Sequence, residues 1–449
     1  MPTSELEAVS AMETAPLPPS LGHAAVWSRR EFLRTAALGG ALVSTGAAGA
    51  SHQGRTPSPG PLDPTTLKRM AAARPLRGGL IPADLSRRLA TAHVSGRYHF
   101  TSKPFLQEGA ERVHALGLGG IKLWFDALER AYRFNSDWRL PADATYVDLA
   151  RHTYFRDAFE VPFSVIALEL YDVPVPGRKK PKGHMIDPES DFHADESQTY
   201  DLACHLLRTY RERDVTFLLQ NWEGDWMFRG GTSNDWMKGT YPELERRIDA
   251  FVRWFTARQR GVERARADVE AGRCRVFHAV EVNRVFDLKA GHPTVTSHVL
   301  PKLRPDFISW SCYDGLRTDK RDGDLTGQAM TEGMNLIQHY ARTVQVDAEG
   351  RPALYIGEIG FPEQVVPAAA VMDMMDGAMG ALLERQVPYV FHWELYCNER
   401  RDGARVAVTG AERAEDLRGF WLVRPDGTLG HTAEYLRNLL AHAGRRLPV

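Results

Sequence analysis

Downstream of residue 77, short apolar runs alternate repeatedly with longer stretches whose apolar residues recur at helical spacing. A short run without polar alternation suits a strand buried on both faces. An amphipathic helix between two such runs suits a parallel crossover rather than a hairpin. Candidate strands are 96–100, 121–125, 162–171, 215–220, 274–282, 307–311, 353–356 and 389–392. Helical periodicity falls on 105–116, 146–154, 197–211, 241–270 (one long helix or two in series), 328–343, 368–384 and 432–441. Eight βα units in one domain spanning 77–449 predict an α/β protein, an enlarged (β/α)₈ TIM barrel. The competing architecture, a doubly wound open sheet, lacks its GxGxxG or P-loop marker. Near the end, 419–423 reads as a short extended segment and Pro425-Asp426-Gly427 as a turn.

In a parallel barrel, chemistry sits where strands end and loops begin. The loop 172–196, carrying Pro174, Pro176, Gly177, Lys179, Lys180 and Pro181, reads as an insertion on that side. The fourth candidate strand runs into Asn221-Trp222-Glu223-Gly224-Asp225-Trp226. An acidic residue at the end of an apolar strand, between tryptophans, enters a half-buried cleft. Burial there raises a carboxyl pKa, which a general acid needs near neutral pH. The bland alternative for Glu223 is a solvated loop carboxylate or a helix cap. Strand seven ends Ile356-Gly357-Glu358-Ile359-Gly360, and glycines at 357 and 360 allow close approach of backbone or ligand. The alternative for Glu358 is a structural glutamate paired with an internal cation.

Two carboxyl groups about 5–5.5 Å apart are what a retaining glycosidase needs, and strands four and seven face each other across a barrel mouth. The pattern resembles the large clan of retaining (β/α)₈ glycosidases, with acid/base at the end of strand four and nucleophile at the end of strand seven. The resemblance implies that Glu223 protonates the leaving oxygen and Glu358 attacks the anomeric carbon. It also implies that Tyr313, after strand six, hydrogen-bonds the nucleophile and that Trp393, after strand eight, floors the sugar subsite. The clan has Asn directly before its acid/base; here Trp222 intervenes, and the 2-OH contact falls to Asn221. The clan's strand-two arginine has no counterpart in 121–125, where Lys122 lacks the bidentate fork.

Strand five supplies a rival. Period-two alternation puts Glu281 and Asn283 on one face, so Glu281 is either an alternative acid/base or, with Asn283, a lining residue of the cleft. Trp222, Trp226 and Trp236 are candidate walls of a carbohydrate cleft. His99, His184, His193 and His392 are scattered without HxH or HExxH spacing, so neither a metal site nor a cofactor is expected. Two other functions fit the same chain: a non-catalytic carbohydrate-binding barrel, or a metal-dependent barrel hydrolase.

The N-terminus reads as an address. Ser28-Arg29-Arg30-Glu31-Phe32-Leu33-Arg34 resembles a twin-arginine export signal. A small-residue apolar stretch from 35 to about 47 follows, then Ala48-Gly49-Ala50 as a cleavage site. That stretch is too short and too rich in Gly and Ala to span a bilayer comfortably, so no stable membrane anchor is expected. Residues 1–50 are thus expected to form a signal peptide read by the twin-arginine machinery, and 51–76 a Pro/Gly/Ser-rich linker. The destination is periplasmic or extracellular. With 56 basic against 57 acidic residues, bulk charge offers nothing to a nucleic acid. Four cysteines without CxxC spacing make neither a zinc knuckle nor a disulfide framework.

Overall fold

The structure, a computed structural model, describes residues 79–125, 128–141, 143–170, 186–317, 322–341 and 353–446. The twin-arginine motif, the apolar run, the cleavage site, the linker, His184 and most of the 172–196 insertion lie outside these residues.

Eight strands close in chain order into one barrel with every neighbour parallel. They are β1 (Leu89–Ala92), β2 (Gly120–Trp124), β3 (Val165–Glu169), β4 (Thr216–Gln220), β5 (Arg275–Val282), β6 (Phe307–Ser311), β7 (Leu354–Ile359) and β8 (Val390–His392). Burial on both faces explains why most of these strands read as apolar runs. The outer layer contains α1 (Phe105–Ala115), α2 (Thr153–Glu160), α3 (His193–Thr209), α4 (Gly224–Arg229), α5 (Leu244–Asp268), α6 (Gly323–Tyr340), α7 (Ala368–Glu384) and α8 (His431–Ala441).

The first strand is not where sequence reasoning puts it. Residues 96–100 form a loop: Ser95 adopts a left-handed φ of 51°, and the Phe100 and Thr101 amides donate to the Glu108 carboxylate rather than to a sheet. The strand is Leu89-Ala90-Thr91-Ala92, whose small residues carry weak strand preference. Its extended form comes from pairing with β2 and β8. Between β5 and β6 the barrel replaces a helix with two 3₁₀ segments (Val285–Ala290 and Leu300–Lys302) and a π turn, Val295–Val299. Pro293 and Pro301 explain why no long α-helix forms there. The segment 241–270 holds one helix of 25 residues, and the predicted helix 146–154 breaks at His152, which caps α2.

The turn at 425–427 closes with Gly427 N–H donating to the Arg424 carbonyl at 2.8 Å. All four cysteines are buried free thiols. Among the described residues no helix is long and apolar enough to cross a membrane.

Candidate active site at the mouth of the barrel

The interior of the barrel contains a charge cluster. Lys122 projects inward from β2, and its Nζ lies 2.9 Å from Glu169 Oε2, 2.8 Å from Glu358 Oε1 and 3.4 Å from Glu281 Oε2. These partners come from β3, β7 and β5, so the contacts cross the barrel rather than run along adjacent strands. Glu281 Oε2 also accepts from Gln220 Nε2 at 2.7 Å and Ser309 Oγ at 2.6 Å. Tyr355 donates its hydroxyl to Gln220 Oε1 at 2.6 Å. Burial disfavours the ammonium, but three surrounding carboxylates outweigh that and hold the Lys122 pKa well above its ordinary value. Oxygens of Glu169, Glu281 and Glu358 lie within 4.8 Å of one another, a spacing that could hold a metal ion. The Lys122 ammonium contacts all three and supplies the positive charge there itself.

Glu358 owes its aim to a break in the strand. Tyr355 reaches inward to Gln220, and Gly357 also faces inward: a Cβ there would lie 2.0 Å from Ser309 Oγ and 2.2 Å from Glu281 Oε2. Strict alternation would then turn Glu358 outward. Instead the pairing with β6 and with β8 shifts register at this point, a bulge that redirects the carboxyl to Lys122. The Glu358 carbonyl is fixed by the Cys312 amide at 2.9 Å and the Cys312 thiol at 3.2 Å.

Glu223 lies just beyond β4, at the start of α4, and is 3 % exposed. Its Oε2 is buried without a hydrogen-bond partner, as is Oε2 of Glu358. The two carboxyls sit in different environments. Burial, and then the charge of Glu358, push Glu223 well above the ordinary carboxylate range. Burial raises Glu358 to about 7, while Lys122, with help from Tyr313, pulls it down. Glu358 therefore ionises first and Glu223 keeps its proton, the division of labour that acid/base chemistry requires.

The Tyr313 hydroxyl, buried without a well-formed partner, faces this pair: both Glu358 and Glu223 add to the effect of burial in keeping the phenol protonated. Trp393 is 2 % exposed, and its Nε1 lacks a partner. Its carbonyl lies where Gly360 permits close packing, since a Cβ at 360 would sit 2.3 Å away. Trp226 is half-buried, with the guanidinium groups of Arg284 and Arg229 5.4 and 5.8 Å from its ring. Trp222 is buried beside Glu223.

Four expectations need correction. Asn221 is a strut: its Oδ1 accepts from the Glu281 amide at 2.8 Å and its Nδ2 donates to the carbonyls of Trp222 and Glu281. Asn283 likewise accepts from the Asp225 amide at 2.9 Å and anchors the start of α4. Glu281, fully buried and bonded to Gln220, Ser309 and Lys122, belongs to the interior cluster rather than to the cleft lining or the acid/base position. Trp236 is core: it is fully buried, donates to the Pro293 carbonyl at 2.8 Å, and packs against Phe228 and Tyr241.

Sequence reasoning undervalued Lys122 and missed Glu169. A single charge inside an apolar strand was the available signal for both, in Ile121-Lys122-Leu123 and Ala167-Leu168-Glu169-Leu170.

No protein-family model matches the chain, and no curated protein matches it. Among solved structures it is similar to a GH5_18 from Bifidobacterium longum subsp. infantis, at 14% identity and a TM-score of 0.50, covering 81% of this chain and 80% of that one. A GH5_18 from Bifidobacterium longum subsp. longum gives 13% identity and a TM-score of 0.49, covering 81% of this chain and 80% of that one. An exo-beta-1,4-mannosidase from an Opitutaceae bacterium gives 9% and 0.47, with 82% and 61% covered. At these identities the likeness is one of fold, and it rests on the first of the three.

Proposed function

We propose that the chain is a glycoside hydrolase that cleaves a glycosidic bond of an oligo- or polysaccharide with retention, using Glu358 as nucleophile and Glu223 as acid/base. One observation carries the reading: two buried carboxyls at the ends of β4 and β7 influence each other's charge, yet only Glu358 is held by a cation. Glu358 attacks the anomeric carbon and forms a glycosyl ester while Glu223 gives its proton to the leaving oxygen. Glu223, now ionised, takes a proton from water; the water attacks the anomeric carbon and frees Glu358. Negative charge thus passes from one carboxyl to the other and back. Tyr313 is suited to hold Glu358 in line for attack, and Trp393 to carry the sugar ring. The Bifidobacterium structure that shares this fold supports the reading at the level of the barrel.

Screening against aryl glycosides and polysaccharides tests this. Turnover should appear with at least one glycoside, and both Glu358→Gln and Glu223→Gln should lower it on the order of 10³-fold or more while the fold persists. Polysaccharide binding with no turnover in the unaltered protein would favour a carbohydrate-binding barrel. Loss of activity on chelation would favour a metal held by Glu169, Glu281 and Glu358.

We also propose export through the twin-arginine machinery, supported by Arg29-Arg30 ahead of Phe32-Leu33 and the small-residue run. Replacing both arginines with lysine should retain the protein in the cytoplasm. Unchanged export would refute the assignment.

A further inference from the structure

The interior cluster has more anions than its one cation can balance. Glu169, Glu281 and Glu358 surround Lys122 at 2.9, 3.4 and 2.8 Å, and all four are buried. If every carboxyl were ionised, the barrel would enclose two uncompensated negative charges out of contact with water, which a low-dielectric interior disfavours strongly. The proton that relieves this must reside on one of the three.

The donors differ at each position. Glu281 Oε2 receives Gln220, Ser309 and Lys122 together, an arrangement built for an anion. Glu358 receives Lys122 at the shortest of the three distances and has the Tyr313 phenol facing it. Glu169 has Lys122 as its single charged donor. The other groups acting electrostatically with Glu169 are the Tyr132 phenol from the loop after β2, Tyr355 on β7 and Glu223 beyond β4. None of these is a cation.

We propose that Glu169 is protonated in the resting protein and acts as a positioning residue: as the neutral member of the cluster, it leaves the Lys122 charge to Glu281 and Glu358. Burial, opposed by Lys122, raises the Glu169 carboxyl to about 8, in keeping with this placement. The consequence for Glu358 rests on the proposed nucleophile role, but the proton on Glu169 does not. If Glu169 were ionised, Lys122 would be shared among three anions, and Glu358 would lose part of the pull that keeps it ionised.

The test is carbon NMR of the full chain labelled at the glutamate side-chain carboxyl carbon, at about pH 6.5, where an ordinary glutamate is ionised. A resonance at the protonated-acid position should be present and should vanish in Glu169→Gln. Should that variant fold poorly, Glu169→Asp removes the same label while keeping an acid. If all protonated signals survive both substitutions, the proposal is overturned. A second readout addresses positioning. Glu169→Gln, which fixes the neutral form, should leave the acid limb of the pH–rate profile within about half a unit of its original place, whereas Glu169→Ala should move it. A Glu169→Gln limb displaced as far as that of Glu169→Ala would also overturn it. The NMR result stands whatever the chain proves to hydrolyse, so its failure and the failure of the glycosidase reading are separable.

Discussion

Lys122 on β2 and Glu358 on β7 meet across the barrel, Nζ to Oε1 at 2.8 Å, with both side chains out of solvent. The contact ties the orientation of the candidate nucleophile to a strand five places away in the sheet. It also makes one ammonium answer for the charge state of three carboxyls.

Removing that ammonium should be costly in two ways. Lys122→Met leaves buried anions without their cation, a loss of about 3–5 kcal/mol by the general behaviour of buried pairs, read as a lower melting temperature. The acid limb of kcat/KM should also move to higher pH by about 1–3 units, because Glu358 loses the charge that favours its ionised form. A limb that stays in place would show that Lys122 supports the fold alone.

The pH–rate profile of the unaltered chain follows from the same pair. Glu358 must be ionised to attack, and burial raises it to about 7, so kcat/KM should climb as pH rises through neutrality. Glu223 must keep its proton, and burial with the Glu358 charge holds it well above the carboxylate range, so the fall comes on the alkaline side. A profile already at its maximum near pH 4 would contradict this assignment of roles.

Gly357→Ala tests the packing beneath the nucleophile. The added Cβ would stand 2.0 Å from Ser309 Oγ and 2.2 Å from Glu281 Oε2. Overpacking at such a position typically costs about 1–3 kcal/mol, and here it also pushes apart the donors of Glu281. Thermal unfolding should show a clear loss, together with lower activity.

Stability should vary with pH in a way that exposes both kinds of buried group. Glu169 and Glu358 have raised pKa values, about 8 and about 7; the stability they contribute is complete below their unfolded values, near 4.5, and is lost as pH rises through 7 to 8. His93, His278 and His392 are lowered by burial, to about 4, 3 and 3; their contribution is complete above about 6.5 and is lost as pH falls toward 4. The melting temperature should therefore form a plateau between about 4.5 and 6.5, where the two trends offset each other, and fall on both sides. A melting temperature still rising at pH 8 would contradict the buried-acid account.

How far the residues alone reveal this can be judged position by position. The order of strands two to eight was legible because buried parallel strands are apolar runs. The first strand was not, since Leu89-Ala90-Thr91-Ala92 is extended by its neighbours rather than by its own side chains. Glu223 and Glu358 stood out as acids at strand ends. That Glu358 faces inward was not legible, because a bulge at Gly357 breaks the alternation a reader must assume. Asn221, Asn283 and Glu281 looked like cleft residues because polar groups at strand ends usually are. Their partners are backbone amides and a buried lysine on other strands, which no local pattern displays.

The most direct measurement is to trap the covalent intermediate. An activated 2-fluoro glycoside of the sugar the chain turns over should inactivate it with one-to-one stoichiometry. Peptide mass spectrometry should then find the sugar esterified to Glu358, with no adduct on Glu358→Gln. A label on Glu281 or Glu223, or steady turnover of the natural glycoside by Glu358→Gln, would contradict the account.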